Sequence, residues 1–343
     1  MTLLKGPRRV FIGVITSVLM ITLAACGSST SSPTASSTPA SAVPASPAAV
    51  LRLVAAAPQI TNLPADLKPP LQDAMNDTGF AMLGPRNCLP HYTATSVNTS
   101  NCIFGTTNGS HTIVILGDSH ASMWLPAFDL IGKRLGWRVI DFTKVNCGAA
   151  SLEYYLHQED RPYTECDTYH KWVINEINSL DPSIVVLTSL VIPGNVVARP
   201  LTPQAWTTGL DQTLAQIDSP GTHKVILGDI PYLIPGPSAN TGYSVSNPPD
   251  CLAAHESNIR ECSVPLSQAE LANYHDAEAT AAQNGGAQYI DVIPWFCSSV
   301  CTAVIGNMTV YENIQHITAT YSRYLSGTLQ ASLESELVTP SAK

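Results

Sequence analysis

The segment Gly117-Asp118-Ser119-His120 follows the apolar run Thr112-Ile113-Val114-Ile115-Leu116 and precedes a stretch with helical character. That order places a serine on a tight strand-to-helix turn. A serine hydroxyl is a weak nucleophile by itself. It needs a turn that exposes its oxygen, backbone N–H groups to receive an oxyanion, and a histidine to take its proton. Gly117 permits the turn, and Asp118 reads as a brace for it through backbone hydrogen bonds. The candidate base is His316, in Tyr311-Glu312-Asn313-Ile314-Gln315-His316-Ile317-Thr318. His120 is expected to turn away from the serine oxygen along the helix and to pack or hydrogen-bond locally, with substrate contact as the alternative. Chain order alone identifies no mechanism, because such constellations recur on unrelated folds in different orders.

The elements that must position these residues alternate along the chain. Strand patterns are expected at 113–116, 138–142, 184–187, 225–227 and 288–292, and helix patterns at 123–135, 169–179, 203–217, 267–283 and 318–333. This alternation predicts an α/β fold, a three-layer α/β/α sandwich with a mainly parallel sheet. Ligands of such sheets sit beyond the carboxyl ends of the strands, where Ser119 falls. The expected organisation is a leader at 1–25, a spacer at 26–49, a lead-in arm and cysteine-stapled segment at 50–110, and the main domain at 111–335.

Lys5, Arg8 and Arg9 precede an apolar stretch from Val10 to Met20, and Leu23-Ala24-Ala25-Cys26 follows. This reads as a bacterial lipoprotein export signal, with Cys26 as the lipidated first residue of the mature chain, anchored to the outer face of the cytoplasmic membrane. The next residues, up to Ala49, are nearly all Ser, Thr, Pro and Ala, the composition of a disordered spacer. Removing the leader takes three of seventeen basic residues and none of twenty-six acidic ones, so the net charge moves from −9 to −12. A surface of that sign argues against nucleic acid as a partner. Eight cysteines remain of nine. In an oxidising compartment their spacing suggests four local disulfides: Cys88 with Cys102, Cys147 with Cys166, Cys251 with Cys262, and Cys297 with Cys301. The cysteine and histidine spacing carries no metal-site pattern.

Taken in order, the Gly117–Ala121 motif with Trp124 and Pro126-Ala127, Thr143-Lys144 before Cys147, Cys166-Asp167, Val185-Val186-Leu187, Asp229-Ile230-Pro231, Asp250-Cys251-Leu252, Trp295-Phe296-Cys297 and the Tyr311–Thr318 segment resemble the SGNH (GDSL-like) hydrolase family. The resemblance is narrower to the SGNH domains fused to acyltransferase-3 membrane proteins. It implies an SGNH/flavodoxin-like sandwich with Ser119 as nucleophile and His316 as general base. The family usually has an aspartate three residues before that histidine, and here position 313 is Asn313, beside Glu312. Three outcomes stay open: Asn313 orients the ring, Glu312 supplies the acid, or the site has lost most of its activity. The resemblance also implies an oxyanion hole of the Ser119 N–H, Gly148 and Asn195. The activity implied is that of an extracytoplasmic serine esterase or O-acyltransferase acting on O-acyl, chiefly O-acetyl, groups of cell-envelope glycans or on small esters. A membrane acyl donor is a candidate partner. No cofactor or metal is needed for this chemistry, and a monomer is the default. The alternative is a weakened domain that binds acylated polymer or a partner acyltransferase.

Overall fold

Thr112–Gly117 is buried at every position, as a strand covered by helices on both faces requires. The computed structural model describes residues 44–191, 197, 200–233 and 247–334. Six strands form one sheet: β1 (Ile103–Gly105), β2 (Thr112–Gly117), β3 (Arg138–Thr143), β4 (Ile184–Thr188), β5 (His223–Leu227) and β6 (Gln288–Ile290). Their spatial order is β1-β3-β2-β4-β5-β6. All neighbours run parallel except β1, which pairs antiparallel with β3. The chain leaves β2 for β3 on one side and then crosses back to β4 on the other. The carboxyl end of β2 is therefore the switch point at which an open α/β sheet presents a crevice.

The period of two sorts the strand residues into two cores. Ile113, Ile115, Val139, Val186 and Leu227 face one layer, and Val114, Leu116, Ile140, Phe142, Val185 and Leu187 face the other. The principal helices are α1 (Pro47–Ala56), α2 (Ser119–Ser122), α3 (Leu125–Leu135), α4 (Thr164–Leu180), α5 (Pro203–Gln216), α6 (Ala272–Gly285) and α7 (Ala319–Ser332). Residues of α1, α3 and α7 join the first core, and residues of α4, α5 and α6 join the second. The three-layer α/β/α sandwich with a mainly parallel sheet is as expected.

Three details differ. The edge strand β1 was not anticipated, because three residues carry too little pattern. The helix expected at 267–283 is broken: Leu266–Ala269 ends at Glu270, whose backbone is extended, before α6 begins. The spacer boundary at Ala49 is corrected as well. Ser46 caps α1 by accepting from the Ala49 N–H at 3.3 Å, and Ala45 and Val50 are buried. The leader, Cys26 and residues 26–43 lie outside the described residues.

The lead-in arm belongs to the same compact unit as the sandwich. Asp77 caps α7: its carbonyl accepts from Ala319 N at 2.6 Å, and its carboxylate accepts from Thr320 N at 2.8 Å and from Arg323 at 3.2 Å. Lys144, just past β3, is buried, and its ammonium donates to the carbonyls of His91, Tyr92 and Ala94 at 2.6, 3.0 and 2.8 Å. The arm is thus held by charge-assisted bonds at two places. All four expected disulfides form.

Gly117 lies where β2 meets the nucleophile turn, with φ of +155°, and a Cβ there would stand 1.9 Å from the Thr188 carbonyl oxygen. Gly117→Ala must therefore push β4 aside or reshape the turn. The expected cost is about 3 kcal/mol, read as a fall of roughly 6–12 °C in melting temperature. Gly84→Ala, whose Cβ meets nothing within 4 Å, leaves the melting temperature unchanged.

Candidate active site

Asp118 closes the turn after β2. Its Oδ1 accepts from His120 N at 2.9 Å, and both its oxygens accept from Leu190 N, at 3.2 and 3.1 Å. The side chain thereby caps α2 and ties it to the segment after β4. Burial pushes the Asp118 carboxyl up to about 6, against the pull of His120's charge and the N–H groups. Ser122 is fastened to the end of β3 through Thr143 Oγ1 at 2.7 Å. Between buried Asp118 and buried His120, Ser119 alone is partly open to solvent. Its N–H occupies the first helical position, where an intrahelical acceptor is lacking. The turn thus presents the candidate nucleophile to solvent.

His316 is built on a short pinned loop. Tyr311 and Ile317 form an antiparallel bridge, Glu312 N donates to His316 O at 3.0 Å, and Thr318 then caps α7 by accepting from Tyr321 N at 3.1 Å. Asn313 Oδ1 accepts from Gln315 N at 2.8 Å and from His316 N at 3.0 Å. Two backbone donors identify that atom as the amide oxygen. The His316 Nδ1 that lies 3.1 Å from it must therefore carry the proton, which leaves Nε2 with its lone pair. This is the tautomer a general base needs. Burial first, and then the charge of His120, hold the His316 ring down to about 3, so it is neutral at physiological pH.

Glu312 stands farther off, with Oε1 3.7 Å from His316 Nδ1, and accepts from Asn313 Nδ2 at 3.1 Å. Burial pushes its carboxyl up to about 8. Two groups that are both neutral at pH 7 make no ion pair there, whatever their separation. Asn313 therefore orients the ring, and Glu312 holds the amide of Asn313. No hydrogen bond joins Ser119 Oγ to the His316 ring, whose Nε2 has no partner.

His120 was expected to pack or hydrogen-bond locally, and the structure gives it a distant partner. The helix that carries it lasts one turn, and its ring centroid lies 5.2 Å from that of His316. His120 Nδ1 is 2.6 Å from Asp229 Oδ1, and both side chains are buried. Asp229 also accepts from Ile230 N at 2.8 Å, from Val191 N at 3.0 Å, and from the Tyr232 hydroxyl. Despite burial, these bonds and the adjacent ring hold the Asp229 carboxyl down, and Asp229 holds the His120 imidazole up. Both shifts run toward the charged partners, an imidazolium against a carboxylate.

The lead-in arm forms one wall. Gly79 packs so closely that a Cβ would stand 2.3 Å from the Ser122 carbonyl oxygen. Phe80 meets the His316 ring edge-on at 5.5 Å, and the Thr78 hydroxyl interacts with Glu312. No spacing rule links positions 78–80 to 316, so this wall was not legible beforehand.

The oxyanion-hole assignments fare unevenly. Gly148 lies against Tyr154 and Ser189. Its N–H interacts with the Tyr154 oxygen, and its carbonyl accepts from His170 Nε2 at 2.6 Å. Asn195 lies outside the described residues. Among the described residues, the grouping with metal-ligand proximity is Cys147, Cys166 and His170, whose two sulfurs are joined as a disulfide.

The model of the SGNH domain family (fused to AT3 domains) matches residues 87–331. Among solved structures, the periplasmic domain of a lipopolysaccharide acetyltransferase from Salmonella ser. Paratyphi A is 17% identical, with a TM-score of 0.56 over 79% of this chain and 98% of that one. A putative acylhydrolase from Bacteroides fragilis NCTC 9343 is 11% identical, with a TM-score of 0.42 over 67% of this chain and 89% of that one. No curated protein matches. The first of these structural likenesses speaks for the fold, and the family match covers the nucleophile turn, the His316 loop and every strand between them. This chain belongs to the family of SGNH domains that occur fused to AT3 domains.

Proposed function

We propose that the protein is an extracytoplasmic serine esterase or O-acyltransferase that acts on O-acyl, chiefly O-acetyl, groups of cell-envelope glycans. The observation that carries this reading is the tautomer of His316. Asn313 Oδ1 accepts from Nδ1, so that Nε2 keeps its lone pair, and the His316 ring lies 5.2 Å from that of His120, the residue after Ser119. Ser119 Oγ attacks the ester carbonyl carbon while its proton passes to His316 Nε2. The tetrahedral intermediate collapses, the sugar oxygen leaves with that proton, and an acyl-enzyme remains. Water releases the acid, or a second hydroxyl accepts the acyl group, by the same steps in reverse.

The envelope location rests on the leader and on Cys26, which would tether the domain through its spacer. The four disulfides suit an oxidising compartment. No helix among the described residues is long and apolar enough to cross a membrane. The glycan substrate is supported by the fold shared with a lipopolysaccharide acetyltransferase domain, and the membrane acyl donor by the family's fusion to AT3 domains.

Hydrolysis of p-nitrophenyl acetate by the intact chain tests the chemistry. Ser119→Ala and His316→Ala are each expected to lose at least ~10³-fold in kcat, and a fluorophosphonate is expected to label Ser119 in the wild type alone. A wild-type rate equal to that of Ser119→Ala points instead to a domain that binds acylated polymer.

A second expectation concerns pH. The Glu312 carboxyl, pushed up to about 8, is uncharged at pH 7 and gains its charge as pH rises through 8. A carboxylate 3.7 Å from His316 Nδ1 then favours the imidazolium formed on attack. The serine-dependent rate should rise between pH 7 and 9, and Glu312→Gln should flatten that limb while leaving the rate at pH 6.5 within about 3-fold.

A further inference from the structure

The Ser119 N–H is the oxyanion donor that the turn itself offers, while Gly148 packs against Tyr154 and Ser189. The residue after Ser119 carries a ring nitrogen with no hydrogen-bond partner. His120 Nδ1 is held at 2.6 Å by Asp229, while its Nε2, at the far edge of the ring, is buried and has no hydrogen-bond partner. A buried polar atom without a partner costs free energy and calls for an explanation. Asp229 is itself fixed by two backbone N–H groups and a phenol, so the ring cannot shift without breaking that network. The neighbouring His316 Nε2 is likewise without a partner, and the two rings, 5.2 Å apart, share no hydrogen bond. The base lone pair therefore stays free for Ser119.

We propose that His120, held by Asp229 with protons on both ring nitrogens, is a catalytic residue whose Nε2–H donates to the carbonyl oxygen of the ester as that oxygen becomes an anion. The assignment rests on the serine acyl chemistry proposed above. It adds a charged side-chain donor to the backbone N–H of the same one-turn helix. A cation beside the reacting carbonyl favours the attack twice. It stabilises the oxyanion, and its charge, which opposes protonation of His316, keeps that ring the free base before substrate arrives. It also gives the Asp229 network a chemical purpose.

The test compares p-nitrophenyl acetate with its thiono analogue, in which sulfur replaces the carbonyl oxygen and accepts hydrogen bonds poorly. The wild-type chain, with the Ser119→Ala rate subtracted, should favour the oxygen ester strongly. In His120→Gln, kcat for the oxygen ester should fall roughly 10²-fold with KM nearly unchanged, and the oxygen-to-sulfur preference should fall at least about 10-fold. A packing defect would slow both esters alike. Asp229→Asn, which leaves the ring in place and removes the charge that holds it protonated, should lower the preference in the same direction and covers the case in which His120→Gln does not fold. A preference unchanged in the folded variants, with serine-dependent turnover retained, overturns the role of His120 alone. Absence of serine-dependent turnover in the wild type overturns the esterase reading and this one with it.

Discussion

The proposed site depends on one constraint: the His316 imidazole must keep a bare nitrogen in a loop that offers no ionised carboxylate. Asn313 meets it with a single carbonyl oxygen that receives three N–H donors, two from the loop backbone and one from His316 Nδ1. The backbone donors settle which end of the amide is oxygen, and the amide settles the tautomer. Everything around the loop serves that geometry. The bridge between Tyr311 and Ile317 closes it, the cap of α7 ends it, and the arm reaches across from Asp77 to Phe80 to brace it. An aspartate would hold the ring equally well and would add a charge. A neutral amide supplies the orientation alone, so the stabilisation of charge must come from elsewhere in the site.

The source of charge is the buried group at the carboxyl ends of β2, β4 and β5. Asp118, His120 and Asp229 are all inaccessible to solvent, and the two carboxylates take backbone N–H donors from the segments that follow β4 and β5. Buried charge is tolerated where partners are fixed in advance, and here the parallel sheet fixes them. Three strands converge at the switch point, and their loops contribute donors that cannot drift. The close approach of Gly117 to Thr188 is part of the same bargain, because it lets the nucleophile turn sit directly on β4.

Much of the sandwich was legible because parallel strands are buried on both faces and read as apolar runs, which the spacing of helix patterns then separates. The disulfides were legible because their loops are short. β1 was not, since its three residues are held by pairing with β3 and not by pattern. In the candidate site, Asn313 was singled out through the resemblance to the SGNH family, and its three-residue step to His316 folds back on itself in an Asx-type turn. Glu312 was left open, since its burial beneath the arm cannot be seen in sequence. The partner of His120 was not legible, because Asp229 lies 109 residues away in the chain. Gly79 and Phe80 were invisible for a plainer reason: only tertiary folding brings the arm against a loop more than two hundred residues away.

The most direct test is the ring state of His316 in the unliganded protein, read from its ¹⁵N chemical shifts at pH 7. The account predicts a neutral ring with the proton on Nδ1 and a bare Nε2, unchanged down to pH 5. A proton on Nε2, or an imidazolium at pH 6, would contradict it.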